Sequence, residues 1–259
     1  MKFVKIIEEN FIARVSLNRP DVRNAFNPEM IEELIQAFTQ LPLNKNIRVI
    51  HFSGEGKSFC AGGDLNWMHE MKSYSKEQNL KDSDRLFHMF EVIMQCPLPI
   101  VTTVHGAAFG GALGLIACSD YVICEEKTQF CFSEVKLGIA PAVISSFVLH
   151  KTTLGQVGPW MLSGHIFQAK QAKEMGLAHV VCDEESLQDH TITALNWFKE
   201  TGPVAVQKTK KLIHEIASMD WKKRRANTSQ LIADLRTSPE GQEGLSSFLE
   251  KRKPSWRLS

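Results

Sequence analysis

The sequence predicts an α/β fold with a helical C-terminal part, and three observations carry that prediction. Short β-branched segments alternate with amphipathic ones through the first half, and strand signals fade after about residue 143. The 259 residues, 43% hydrophobic and 23% charged, supply core for one large or two small domains, and no low-complexity linker parts them.

In chain order, "IARVSLN" (12–18) is short, β-branched and bounded by turn residues, as a strand requires. A helix over 28–41 follows, because Asn27 offers a capping oxygen and Pro28 is tolerated at the first helical position. "IRVIHFSG" (47–54) is the next strand. Leu86, Met89, Phe90 and Ile93 then recur at i, i+3, i+4 and i+7, which places them on one face of a second helix. "PIVTTVHG" (99–106) and "YVICEE" (121–126) read as strands, with the small-residue segment 112–119 between them as a closely packed helix. Beyond 143 only "HVVC" (179–182) keeps a strand pattern.

Composition removes several classes of function. Thirty basic against 29 acidic residues leave a net charge of +1, so neither a nucleic-acid partner nor a membrane surface is expected. Glu8 and Glu9 stand where a signal peptide needs an apolar run; no secretion or transit signal is expected, and the expected setting is the cytoplasm. Cysteines 60, 96, 118, 124, 131 and 182 form no C-x-x-C pair and have no histidine at ligand spacing. Reduced, mostly buried thiols are expected rather than a metal site or disulfides. The stretch 99–118 lacks formal charge apart from a His105 proton, as a membrane span would, but its glycines and threonines argue against one.

The glycine-bearing stretches carry the chemistry. "HGAAFGGALGLIACSD" (105–120) lacks the G-x-G-x-x-G spacing of a dinucleotide site, and "GEGKS" (54–58) has His51 where a phosphate loop needs its first glycine. What remains is a strand turning through Gly110 and Gly111 into a helix. Its orphan N–H groups serve either tight packing or a negative charge. "SFCAGGDLNWM" (58–68) is a second bare-backbone loop. Gly63 and Gly111 can each offer an N–H to one oxygen, the arrangement that stabilises an oxyanion. In "KTQFCFSEVKLGIAP" (127–141), Glu134 stands among Phe132, Val135 and Leu137, as a surface residue or as a tuned acid/base. Asp64 and Asp120 read as caps or loop anchors, His105 as a core hydrogen-bonding group, and "KKRR" (222–225) as a solvated helix face.

Taken together, "NRPDVRNAFN" (18–27), "FCAGGDL" (59–65), "GAAFGGALGL" (106–115) and "FSEVKLGIAP" (132–141) resemble, in order and spacing, the signatures of the crotonase or enoyl-CoA hydratase/isomerase superfamily. The likeness extends through "LSGHIFQAKQAKEMGLAHVV" (162–181) to "FLEKRKPSW" (248–256). The resemblance implies a crotonase-like spiral of ββα units over residues 1–195 and a helical C-terminal trimerisation region over 196–259, in a homotrimer or homohexamer. It implies an acyl-CoA thioester substrate, with no cofactor beyond its coenzyme A moiety and no metal. The thioester carbonyl is then expected between the Gly63 and Gly111 N–H groups, with Glu134 as the acid/base. Coenzyme A contacts fall to Val22, Arg23, Ala25, Ala61, Gly62, Gly63, Asp64, Leu65, Phe248 and Lys251. The acyl pocket falls to Trp67, Met68, Gly114, Pro141 and Val143, although Trp67 and Met68 also read as core.

One departure stands out. Hydratases of the best-known type in this superfamily carry two glutamates, and at the first of those positions this chain has Gly114. A single glutamate can move a proton between water and the α-carbon, or between the α and γ carbons, so hydration and double-bond isomerisation both stay open. "GGDLNWM" and "IAPAVIS" resemble the bacterial hydratases of methylglutaconyl-CoA type, which implies a short, branched or carboxylated 2-enoyl-CoA of leucine catabolism. Asn66 and His69 are then candidates to hold a water. Thioester hydrolysis and non-catalytic coenzyme A ester binding are the alternatives from other classes, and no G-x-S-x-G elbow supplies a serine nucleophile.

Overall fold

A computed structural model describes residues 1–257. The last two residues of the expected C-terminal region, 258 and 259, lie outside the described residues. β1 (Val4–Glu9) and β2 (Ile12–Leu17) form an antiparallel hairpin that turns on Asn10 and Phe11, both at positive φ. β3 (Val49–Gly54), β4 (Ile100–Val104), β6 (Tyr121–Glu125) and β9 (Val180–Cys182) extend it by parallel pairing into a six-stranded sheet ordered β1-β2-β3-β4-β6-β9. The three short strands β5 (Ala107–Phe109), β7 (Gln129–Cys131) and β8 (Phe167–Gln168) form a second sheet.

Burial on both faces accounts for the β-branched runs in the large sheet. One face, with Val15, Leu17, Ile50, Phe52, Ile100 and Val104, packs into the main core against α1 (Pro28–Gln40) and α3 (Lys76–Gln95). The other, with Ile12, Val49, Val101 and Ile123, receives Ala194 and Leu195 of α8 (Leu187–Lys199). Asn27 caps α1 by accepting from the Met30 N–H, and a Ser75–Gln78 capping box starts α3, whose Met89, Phe90 and Ile93 are buried as the periodicity requires. The helices α2 (Leu65–Met71) and α4 (Ala112–Ala117) open from the glycine loops, and α5 (Ala142–Lys151), α6 (Leu154–Ser163) and α7 (Ala169–Glu174) precede β9. The chain ends in α9 (Pro203–Ile216), α10 (Trp221–Thr237) and α11 (Pro239–Leu249).

Four strands escape the sequence patterns for a physical reason: β1 is largely exposed along its charged face, and β5, β7 and β8 are too short to show a period. The uncharged stretch 99–118 divides into β4, β5 and α4. Among the described residues no helix is long and apolar enough to cross a membrane, and no group of three or more His, Cys, Asp or Glu side chains could hold a metal ion. Five of the six cysteines are buried and Cys182 is half-buried. Burial pushes the Cys60 thiol up to about 12 and that of Cys96 to about 11, so neither is a thiolate nucleophile near neutral pH.

One buried ion pair ties the C-terminal helices to the core. Lys210 on α9, 6% exposed, donates to Asp120 Oδ2 at 2.6 Å and to the Leu98 carbonyl at 3.0 Å, while Asp120 also accepts from the Ile100 N–H. Asp120 is therefore an anchor, in line with its sequence pattern. Replacing Lys210 by Met leaves that carboxylate without its cation, and a loss of about 3–5 kcal/mol is expected in urea unfolding. A loss below about 1 kcal/mol, the usual worth of an exposed pair, would show that the bridge contributes little.

Candidate active site

Three turns of the chain lie in register. Cys60 bridges Ala108 in parallel, and Ala108 pairs with Phe130 in the β5–β7 ladder. Three residues beyond these aligned positions the chain reaches Gly63, Gly111 and Ser133, with Glu134 next. The repeated strand–strand–helix path thus delivers two glycine loops and one glutamate to neighbouring bends, although they are scattered over some 70 residues of sequence.

The first loop is held by the segment before α1. Phe26 bridges Gly63 in parallel: its N–H donates to the Gly62 carbonyl at 2.7 Å, and its carbonyl accepts from the Asp64 N–H at 2.8 Å. Strand-like alternation then turns the Gly63 N–H away from Phe26, and it donates to no acceptor among the described residues. The Ala61 N–H donates to the Arg23 carbonyl, and the fully buried Asn24 side chain donates to the carbonyls of Glu55 and Ser58. Gly62 sits at φ +97, a left-handed conformation that favours glycine. Asp64, 5% exposed, caps α2 by accepting from the Asn66 and Trp67 N–H groups and pairs with Arg19 at 2.7 Å. Burial raises the Asp64 pKa, but the hydrogen bonds from Arg19, Asn66 and Trp67 together hold it below its ordinary value.

In the second loop, the Gly110 N–H donates to the Cys131 carbonyl at 2.9 Å, while the Gly111 N–H, at the start of α4, has no acceptor among the described residues. An ideal Cβ built on Gly110 would stand 3.4 Å from Glu134 Oε1 and 3.5 Å from Ser133 Oγ, which puts the glutamate beside this bend. Glu134 lies on a short 3-10 turn, Ser133–Leu137, closed by Gly138 in the left-handed conformation. Its Oε2 is buried and accepts no hydrogen bond. Burial pushes its carboxyl above the ordinary glutamate range, against a smaller downward pull from its own backbone N–H.

Other expected residues fall differently. Asp64 spends its side-chain carboxylate on its cap and on Arg19. Trp67, 5% exposed, packs in the core, and its indole N–H is buried without a partner among the described residues. Met68 lies against Gly63, its Cε 3.1 Å from where a Cβ would be. Asn66 and His69 are exposed on α2, and His105 pairs through Nε2 with the Gly56 carbonyl at 2.8 Å on a half-exposed loop rather than in the core. Val22, Arg23 and Leu65 are exposed, Ala25 is buried, Pro141 is buried at the start of α5, and Val143 is half-buried. Phe248, 82% exposed, and Lys251, exposed and at φ 57, stand at the end of α11 with no hydrogen bond or ion pair to the glycine loops among the described residues. Arg19 and Asn24 were not singled out by the sequence. Their signal lies in the "NRPDVRNA" motif itself, from which these two side chains turn inward to the loop.

Gly114 needs the largest correction, since its side of α4 is packed rather than open. A Cβ there would meet Phe90 Cε1 at 2.6 Å and Ile144 Cγ2 at 2.9 Å, so a ring and a branched aliphatic fill the direction a side chain would take. Gly114→Ala is expected to cost about 1–3 kcal/mol by overpacking, read as a lower urea midpoint. Unchanged stability would show that Phe90 moves aside freely. Gly114→Glu would fail for the same steric reason before any charge repulsion matters.

Register-matched turns that bring two free glycine N–H groups and a half-buried glutamate together define a fold of crotonase type. A profile of the family described as enoyl-CoA hydratase/isomerase matches residues 8–258, and the chain belongs to that family. The solved structure of an enoyl-CoA hydratase from Shewanella pealeana is 36% identical, superposes with a TM-score of 0.94, and covers 98% of this chain and 96% of its own. Enoyl-CoA hydratase domain-containing protein 3 of Danio rerio is 28% identical over 96% of this chain and 86% of its own. Trans-2-decenoyl acyl-carrier-protein isomerase of Streptococcus mutans is 25% identical over 96% of this chain and 95% of its own.

Proposed function

We propose that this chain adds water to a short, branched or carboxylated 2-enoyl-CoA, with Glu134 as the single acid/base and the N–H groups of Gly63 and Gly111 as oxyanion donors. The observation that carries this is the half-buried Glu134, whose Oε2 is buried without a partner and whose carboxylate lies beside the Gly110–Gly111 bend. Addition at C3 moves the π electrons of the double bond into the thioester, so negative charge collects on its oxygen. Two preorganised N–H groups lower the energy of that enolate more than that of the ground-state carbonyl. Glu134 takes a proton from water as the hydroxyl bonds to C3, then returns it to C2.

The similarity to the enoyl-CoA hydratase of Shewanella pealeana supports hydration. Coenzyme A would lie along Val22, Arg23, Ala25 and the 61–65 loop. The exposed Phe248 and Lys251 would meet it across a subunit boundary in a trimer or hexamer, for which the apolar residues exposed on α6 and the C-terminal helices give surface. Six unpaired thiols fit a cytoplasmic setting.

A second outcome, isomerisation of a 3-enoyl-CoA, is favoured by Gly114: where the two-glutamate hydratases place a second carboxylate, Phe90 and Ile144 leave an apolar wall. The test is a panel of 2-enoyl- and 3-enoyl-CoA esters turned over in ¹⁸O-labelled water and read by mass spectrometry. Label in a β-hydroxyacyl product is expected. A shifted double bond without label, and negligible hydration of every 2-enoyl ester, would assign isomerisation instead. Free thiol release would assign thioester hydrolysis.

A further inference from the structure

We infer that Phe26 is a positioning residue that sets the spacing of the two oxyanion donors, a proposal that rests on assigning that role to Gly63 and Gly111. Phe26 touches both glycines by different means. Its backbone forms the bridge that fixes the direction of Gly63, through the 2.7 Å bond to Gly62 and the 2.8 Å bond from Asp64. Its ring packs on Gly111: an ideal Cβ on that residue would stand 3.0 Å from Phe26 Cε2 and 3.3 Å from Cδ2. That contact needs a glycine at 111 by close approach, since the residue itself is at φ −53, open to any side chain.

Phe26 is also rigidly mounted. It is 2% exposed and immediately precedes Asn27, the capping residue of α1, so neither ring nor backbone can drift without disturbing the start of a 13-residue helix. The bridge and the ring together make one residue the spacer between loops 48 positions apart in sequence. Spacing matters because the donors help only if both reach the same oxygen in the transition state. A displacement of about 1 Å costs on the order of 10²-fold in rate.

The test uses Phe26→Leu, which keeps an apolar side chain and the backbone bridge but removes the ring. A fall in kcat of about 10–100-fold is expected, with the KM for the coenzyme A ester within about threefold, because the lost alignment acts on the transition state. Acetoacetyl-CoA, which can bind as its enolate, and saturated butyryl-CoA separate alignment from packing. The variant is expected to lose enolate absorbance and about tenfold in acetoacetyl-CoA affinity while holding butyryl-CoA as the parent does. Gly111→Ala supplies the partner measurement. It should lower kcat severalfold in the parent, where the new methyl meets the ring, and little in Phe26→Leu, where space is free.

Equal loss of both affinities in step with thermal stability, or additive effects of the two substitutions, would make Phe26 a core residue and overturn the inference. A parent enzyme that bound acetoacetyl-CoA with no enolate signal would instead overturn the oxyanion assignment beneath it.

Discussion

Glu134→Gln is expected to lower kcat by about 10²–10⁴ while the fold persists. The amide keeps the shape of the carboxyl but cannot accept the proton. No fold-stabilising bond is lost with Oε2, which has no partner. Burial raises the native pKa of Glu134, so its contribution to stability is present below the unfolded value, about 4.3, and is lost as pH rises through the native one. At neutral pH the Gln variant should therefore be at least as stable as the parent, an advantage that shrinks in acid. The same shift places the acid limb of kcat/KM above the ordinary glutamate range, since the ionised form is the proton acceptor. Steady-state kinetics and thermal melts from pH 4 to 9 check both. Activity within threefold of the parent at equal stability would remove Glu134 from the chemistry.

Gly111→Pro is the second large effect, about 10²–10³ in kcat from the loss of one donor. The backbone favours this substitution as a probe. Gly111 is at φ −53, close to the proline value, at the start of α4, and its N–H makes no intramolecular bond that proline would break. Two contacts oppose it: the Phe26 ring, 3.0 Å from the Cβ position, and Gly110, which at φ +54 must remain left-handed before a proline. Circular dichroism and urea unfolding are the needed controls. Because the oxyanion forms only in the transition state, kcat should fall more than the affinity for a saturated coenzyme A ester. A change confined to KM would take Gly111 out of the oxyanion site.

All strands of the large sheet except the exposed β1, and helices α1 and α3, are legible in the sequence because their burial is periodic or continuous, and Asn27 and Pro28 mark a helix start that needs no tertiary context. The two glycine loops and Glu134 were legible as residue types. Their convergence is legible only through the family resemblance and not from the residue pattern, since it depends on the Cys60–Ala108–Phe130 register, made by strands of three residues or by an isolated bridge. Gly114 shows the limit most clearly. Its sequence reveals a missing carboxylate, whereas only the fold reveals that Phe90 and Ile144 occupy the direction in question. Asp64 reads from sequence both as a cap and as a coenzyme A contact, and the fold shows its carboxylate accepting from the half-buried Arg19 and two N–H groups, the cap role that its position before α2 announces.

Proton exchange at C2 tests the central claim most directly. Turnover of a 2-enoyl-CoA in D₂O, with Glu134→Gln in parallel, reports whether one carboxylate protonates an enolate held by two backbone donors. Deuterium at C2 of the product with the parent, and at least 10²-fold slower incorporation with the variant, is the expected result. Product formed without deuterium at C2, or at equal rates in parent and variant, would contradict it.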